Sequence, residues 1–228
     1  MQSRFAVAFA VSLPLLAPAL AQAGPPLICW PMSIGNAPSL PWGGGWHDTR
    51  PDYDGRGRLA TDTLALLGSD TPVLVRMETL RRAAVYAASD DAAAGRLFQA
   101  LRARLKAPGE TRAQALSQFD LGYQAEAYRQ ALFTARYMGG GPQARGIEVA
   151  EDGYELVHRA LTALRPDPAL EYAAALVSLD PPTRRPLADK HYRIAAAQAA
   201  AGSDLARTLQ AHARLWADQP ARPAMATR

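Results

Sequence analysis

The sequence of 228 residues has few cysteines, lysines and β-branched aliphatic residues: it contains 1 Cys, 2 Lys, 4 Ile and 8 Val. A single cysteine excludes a scaffold stapled by internal disulfides and a metal site built from paired cysteines. Alanine (48) and arginine (23), both strong helix formers, are abundant. We therefore expect a mostly helical protein.

The chain also has few long apolar runs, and the clearest one begins near the N-terminus. Residues 1–23 combine a cationic Arg4, an apolar stretch and a small-x-small end. This pattern is typical of a secretory signal peptide that is cleaved before Gly24. Pro14 and Pro18 interrupt a run that is shorter than the roughly 20 residues of a membrane anchor. We expect an exported product, periplasmic or else extracellular, with no membrane span in the mature chain.

The remaining chain divides at about residue 58. Residues 24–57, here called the leader, hold six prolines, seven glycines and three of the four tryptophans, and show no helical period. Over 58–218 apolar residues recur at helical spacing between Pro, Gly and Asp signals, and 219–228 forms a frayed tail. The pattern predicts an all-α fold of stacked antiparallel helical hairpins, with the irregular leader wrapped over one end.

Eight helices are predicted in the helical region. Capping signals place helix starts after Thr71, Ser89, Asp167 and Ser203. The predicted helices cover about 59–67, 72–87, 90–107, 111–138, 147–164, 168–179, 185–201 and 204–216.

Part of the helical region resembles a known repeat family. Residues 153–161 and 164–170, GYELVHRAL and LRPDPAL, resemble the second helix of a tetratricopeptide repeat and its exit into the next unit. The likeness covers one unit, because the family's Trp-x-x-Leu-Gly-x-x-Tyr start is missing and only 121–123 is faintly similar to it. The start of the mature chain, Gly-Pro-Pro-Leu-Ile-Cys at 24–29, is similar to that of a group of exported bacterial proteins of unknown function. These resemblances imply an exported helical-repeat protein and supply no mechanism.

The leader holds the candidate binding residues. Aromatic rings in a segment rich in proline and glycine can line a pocket for a peptide or glycan. The same rings can instead anchor the leader on the first helices and cap the array. The candidate ligand-binding residues are Trp30, Trp42, Trp46, His47 and Tyr53.

Cys29 is the one candidate reactive thiol. It could be exposed for mixed-disulfide formation, or it could bridge two copies of the chain in a redox-linked dimer. The alternative is a small buried hydrophobe between Ile28 and Trp30. The sequence favours the buried alternative.

Other chemistry has little support in the sequence. His47-Asp48 is the one acid or base pair worth keeping, and no nucleophile elbow accompanies it. His191 and His212 share helix faces with apolar residues, which predicts hydrogen-bonded core histidines, and no motif indicates a metal or cofactor. Net charges of −2, +4, −4 and +5 over 24–75, 76–112, 113–183 and 184–228 alternate in sign, which disfavours a nucleic-acid partner.

The expected function is therefore a non-catalytic protein- or peptide-binding or scaffold module that uses a concave helical face or the tryptophan-rich leader. A periplasmic enzyme or binding protein acting on cell-wall glycan or peptide is the competing hypothesis, with His47 and Asp48 as acid or base. The redox-linked dimer through Cys29 is a third.

Overall fold

The structure, a computed structural model, describes residues 24–45, 47–137 and 145–216. The predicted signal peptide, Trp46 and the tail 219–228 lie outside the described residues. Across the described ranges the regular structure is helical apart from one isolated bridge between Trp42 and Thr49, which confirms the all-α fold. The helices are α1 Pro26–Cys29, α2 Gly55–Leu66, α3 Val73–Ala87, α4 Asp91–Lys106, α5 Thr111–Tyr137, α6 Gly153–Leu164, α7 Pro168–Val177, α8 Arg185–Gln198 and α9 Asp204–Ala211.

No helix among these is both long enough and apolar enough to cross a membrane. Short 3₁₀ turns at Pro182–Arg184 and Ala213–Leu215 precede α8 and follow α9. The described helices pack on one another, as the contacts below show.

Two of the predicted helix caps are confirmed. The Asp167 carboxylate accepts from the amides of Ala169 and Leu170, and the Ser203 hydroxyl accepts from the amide of Ala206. The prediction of Thr71 as a cap is wrong, because its hydroxyl donates to the Leu66 carbonyl at 2.9 Å and closes the turn between α2 and α3. In place of Ser89, the neighbouring Asp90 caps α4.

The start of α6 also differs from the prediction. The helical spacing from Ile147 continues into a segment that the structure shows without regular structure, and α6 begins only at Gly153. Asp152 caps it by accepting from the amide of Glu155 at 3.1 Å. Just before the cap, Glu151 pairs with Arg102 of α4, which holds the segment against the body.

Helix α3 lies at the centre of the fold. Nearly all of its residues are buried, although only one of its faces is apolar. Arg76 and Arg81 are both wholly buried, because Asp120 of α5 and Glu78 of α3 neutralise them. The periodicity shows the apolar face of α3 but not that its charged face is enclosed as well.

The first four long helices form two hairpins that lie side by side. Helix α2 contacts α4 and α3 contacts α5, so that like helices of the two hairpins are neighbours. Helix α6 packs along α5, and α7 packs between α6 and α8 while also reaching α3 and α5. A regular tetratricopeptide-like array stays a prediction.

The first part of the leader lies inside this body. Residues 24–30 are all buried, and α1 contacts α3, α5 and α7. Side chains of the surrounding helices satisfy its backbone: the Leu27 amide donates to Gln130 Oε1 at 2.8 Å, and Arg81 Nη1 donates to the Ile28 carbonyl at 3.0 Å. These first residues of the leader therefore lie in the interior, whereas the sequence predicts that the leader wraps over one end of the array.

The second part of the leader runs along α3. The Ser39 hydroxyl is bonded to that of Thr79 at 3.0 Å, and Arg82 Nη1 donates to the Leu40 carbonyl at 2.7 Å. One turn further along α3, the Tyr86 hydroxyl donates to the Pro41 carbonyl at 2.7 Å. These contacts position the segment that follows, which contains the candidate binding residues.

Candidate functional site

Residues 41–45 and 47–50 belong to a tight loop that we call the tryptophan hairpin. It is closed by the bridge between Trp42 and Thr49 and by a hydrogen bond from the Gly43 amide to the Asp48 carbonyl at 2.8 Å. The indole N–H of Trp42 donates to the Gly45 carbonyl, which ties the ring to the loop. Gly44 has a φ of 128°, in the region that favours glycine. The ring is therefore held in one orientation by its own loop.

The Trp42 ring is half-buried and rests on two arginines. The guanidinium carbons of Arg81 and Arg82 lie 4.7 and 5.7 Å from the ring centroid, which is cation–π geometry. The edge of the ring also meets Tyr86 at a centroid distance of 6.0 Å. The remaining part of the indole is open to solvent.

Tyr86 connects the hairpin to Tyr53. Its hydroxyl accepts from the Arg50 amide at 2.9 Å, and its ring meets the Tyr53 ring at 5.0 Å. The Tyr53 hydroxyl donates to Asp62 Oδ2 at 3.1 Å, and burial together with this bond raises the pKa of Tyr53. Two of the predicted binding residues, Trp42 and Tyr53, are thus brought together at Tyr86, near one end of α3.

A buried charge cluster lies beneath the hairpin. Arg81 donates to both oxygens of Glu78 at 2.8 Å, and Arg82 Nε donates to Glu78 Oε1 at 2.7 Å. The Met32 amide donates to the same carboxylate at 3.0 Å. Burial opposes the ionisation of Glu78, but the arginines outweigh it and lower its pKa. Trp42 covers this cluster, so its ring has a structural role.

His47 and Asp48 are neighbours in the loop and have different surroundings. Burial lowers the pKa of His47, a backbone hydrogen bond opposes this effect, and the charge of Arg81 lowers the pKa further. The Asp48 carboxylate lies against Gly43 and accepts from the Gly45 amide at 3.4 Å. Burial, with a smaller contribution from Arg81, therefore makes His47 a weaker base, and Asp48 supports the loop. Their role as acid and base stays a hypothesis.

The other leader candidates lie elsewhere. Trp30 is only 4% exposed and packs edge-on against the His212 ring, with a centroid distance of 5.4 Å, so it belongs to the core and not to a ligand surface. Cys29 is also 4% exposed, which favours its buried alternative over a thiol that bridges two copies. Trp46 lies outside the described residues.

Two buried histidines, His212 and His191, have defined hydrogen-bond partners that the sequence does not identify. His212 Nε2 lies 2.9 Å from the Pro31 carbonyl, which can only accept, so Nε2 carries the hydrogen. Nδ1 then accepts from the Tyr172 hydroxyl at 2.5 Å. His191 Nδ1 donates to Glu171 Oε2 at 2.6 Å, and both residues are buried. The prediction of hydrogen-bonded core histidines is confirmed, but their partners lie 20 to 181 positions away and no local motif identifies them.

Over the described ranges, no group of three or more His, Cys, Asp or Glu side chains could hold a metal ion. No protein-family profile matches the chain, and comparisons with curated proteins and with solved structures find no match. The chemistry of the described side chains therefore carries the functional conclusion.

Proposed function

We propose that this protein is an exported, non-catalytic binding module that holds a peptide segment of a partner protein at the tryptophan hairpin. The observation that carries the proposal is the partly exposed Trp42 ring, held by its own loop and by Arg81. Tryptophan is enriched among the residues that dominate binding energy. A ring that is already fixed loses little conformational freedom when a partner binds.

The proposed partner chemistry follows from the surface of the hairpin. Charges near it are paired locally, since Arg50 pairs with Asp52 and Arg58 with Asp62. Trp42 and the half-exposed Tyr53 offer aromatic surface between these pairs. An apolar or aromatic side chain of an extended peptide fits this surface better than a highly charged ligand.

The geometry favours the hairpin over the concave helical face that we also considered. Helix α1 is buried against α3, α5 and α7, so the chain's own leader already covers those helix faces. The hairpin, in contrast, presents partly exposed rings.

Site-specific photocrosslinking tests the binding proposal. A photoreactive amino acid at Asp52, beside the hairpin, should give one discrete adduct in the exported fraction of the native host. Excess purified wild-type protein should compete for the adduct, whereas Trp42→Ala should compete at least about tenfold less well. Tyr137→Ala removes an aromatic ring that is 74% exposed on α5 and is the matched control, which should compete like wild type.

Equal competition by Trp42→Ala, or an adduct that forms equally from a photoreactive residue at the exposed Gln210, would contradict the proposal. The export part is tested separately. The N-terminal sequence of the product recovered outside the cytoplasm should begin at Gly24, and a product that retains residues 1–23 would overturn it.

A further inference from the structure

A second surface, on the other half of the chain, lies where α6 and α8 both pack against α7. Short connections make α6 and α8 antiparallel to α7, and therefore parallel to each other. The rings of His158 on α6 and His191 on α8 meet edge to face, with a centroid distance of 5.9 Å. We call this line of contact the α6–α8 seam.

One end of the seam carries an arginine without a carboxylate partner among the described residues. The Arg184 guanidinium carbon lies 4.2 Å from the centroid of the Tyr154 ring, and both residues are partly buried. The Tyr154 ring in turn lies 5.8 Å from that of His158. An arginine held flat on an aromatic ring keeps its planar edge of N–H donors, the group that binds carboxylates in bidentate geometry.

The middle of the seam is fixed by a buried carboxylate. Glu171 of α7 accepts from His191 Nδ1 at 2.6 Å, which fixes the orientation of the imidazole and leaves Nε2 without a hydrogen-bond partner among the described residues. The second Glu171 oxygen lies 3.7 Å from Arg165 Nε, and the Arg165 side chain is 52% exposed. Arg165 therefore keeps N–H donors available for a ligand at the second end of the seam.

The seam has a cationic group at each end and apolar groups between them. On α8, Arg185 and Asp189 pair with each other and Arg193 lies at an exposed position, so the cationic groups of the seam are Arg184 at one end and Arg165 at the other. Leu187, one turn before His191, is 40% exposed, and Ile194 is partly buried. Cationic ends, imidazoles between them and an exposed leucine match a peptide that carries both carboxylates and an apolar side chain.

We propose that the α6–α8 seam binds an acidic peptide segment of a partner protein, with Arg184 and Arg165 holding its carboxylates and Leu187 contacting an apolar side chain. The seam uses no residue of the tryptophan hairpin, so the two proposals stand or fall separately. The exposed Leu187 favours a peptide over a small free anion, because such an anion has no apolar group to pack against the leucine.

Fluorescence polarisation tests the proposal with purified protein at physiological salt. The probe is a short fluorescein-labelled peptide of alternating glutamate and alanine with a central leucine. We expect saturable binding that Arg184→Gln weakens about tenfold, the effect of losing one bidentate pair. Arg193→Gln removes the same charge from an exposed position on α8 and should change the affinity less than about twofold. Unchanged melting temperatures of both variants show that folding is not the cause.

Four results would overturn the proposal. The first is that the peptide does not bind saturably, and the second is that Arg184→Gln and Arg193→Gln weaken its binding equally. The third is that a peptide with lysine in place of glutamate binds as tightly as the acidic peptide. The fourth is that inorganic phosphate competes as effectively as the unlabelled acidic peptide. Arg184-dependent binding to phosphatidylglycerol vesicles without binding of the peptide would assign the seam to a membrane surface instead.

Discussion

Gly122 of α5 and Gly153 of α6 face each other where the two helices cross. A Cβ atom on Gly122 would lie 2.8 Å from the Gly153 carbonyl oxygen and 2.6 Å from Leu156 Cβ, and a Cβ on Gly153 would collide with the Gly122 carbonyl. The two backbones therefore approach each other more closely than any residue with a side chain permits. The predicted single helix over 111–138 is confirmed, since α5 runs from Thr111 to Tyr137.

This crossing predicts opposite effects for two glycine substitutions. Gly122→Ala should lower the free energy of unfolding by about 1–3 kcal/mol, because α5 and α6 must separate. Gly95→Ala in α4 should raise it by about 0.5–1 kcal/mol, because nothing lies within 4 Å of the added methyl group and alanine is the better helix former. Urea denaturation of both variants checks the prediction, and a stabilised Gly122→Ala would contradict it.

The buried pair of Arg76 and Asp120 gives a second prediction. Arg76 Nη1 lies 2.9 and 2.7 Å from the two carboxylate oxygens, and neither side chain is exposed. Asp120→Leu should lower the free energy of unfolding by about 3–5 kcal/mol, because it leaves a guanidinium buried without its partner. Adding Arg76→Met should recover part of this loss, since the one cation left facing this position, Arg104, is 27% exposed and not wholly buried.

The cycle is measured at pH 8 by urea denaturation. Burial raises the pKa of Asp120 to about 6 against the opposing effect of Arg76, so the carboxyl is ionised at pH 8. Strict additivity of the two substitutions would show that the ion pair is not formed in solution.

His212 should make stability depend on pH. Burial lowers its pKa from the ordinary 6.5 to about 4 in the folded protein. His212 therefore binds a proton more tightly in the unfolded chain than in the folded protein. The contribution of the neutral His212 to the free energy of unfolding is complete above pH 6.5 and falls by about 3 kcal/mol as the pH drops towards 4.

His212→Gln should remove this part of the pH dependence when unfolding free energies at pH 7.5 and pH 4.5 are compared. Tyr172→Phe removes the hydroxyl that donates to Nδ1 but retains the imidazole, so this control should still lose stability in acid. An identical loss in wild type and His212→Gln would be incompatible with a neutral, buried His212.

The burial of Cys29 predicts slow chemistry at its thiol. Because the side chain is 4% exposed and enclosed within the leader, iodoacetamide should label the native protein at least about a hundredfold more slowly than the protein in urea. Mass spectrometry of the alkylated protein over time checks this. Rapid stoichiometric labelling of the native protein would show that residues 24–30 leave the interior readily.

The sequence predicts the helices well where local chemistry decides them. Asp167 and Ser203 cap their helices as expected, because a cap requires only a side chain and the amides two or three positions later. The predicted start of α6 at Ile147 is wrong. The apolar period begins at Ile147, but the helix begins at Gly153, where Asp152 caps it and Gly153 contacts Gly122 of α5. Local patterns carry no signal for such long-range contacts.

The candidate site was predicted in part for the same reason. Composition identifies the leader as exceptional, and two of its candidates, Trp42 and Tyr53, contact Tyr86. Composition does not distinguish Trp30, which is buried, from Trp42, which is half-exposed. That difference depends on Glu78, Arg81 and His212, whose positions only the fold brings together.

The leader has a consequence for the order in which the chain can fold. The Ser33 amide donates to Thr208 Oγ1, and His212 donates to the Pro31 carbonyl, across sequence separations of 175 and 181 residues. Contacts of such high contact order form late, because the loop that they close is nearly the whole chain. A chain that emerges N-terminus first would thus carry a segment rich in proline and apolar residues, with unmet backbone donors, until its last helix is available. Folding should therefore be sensitive to truncation at α9.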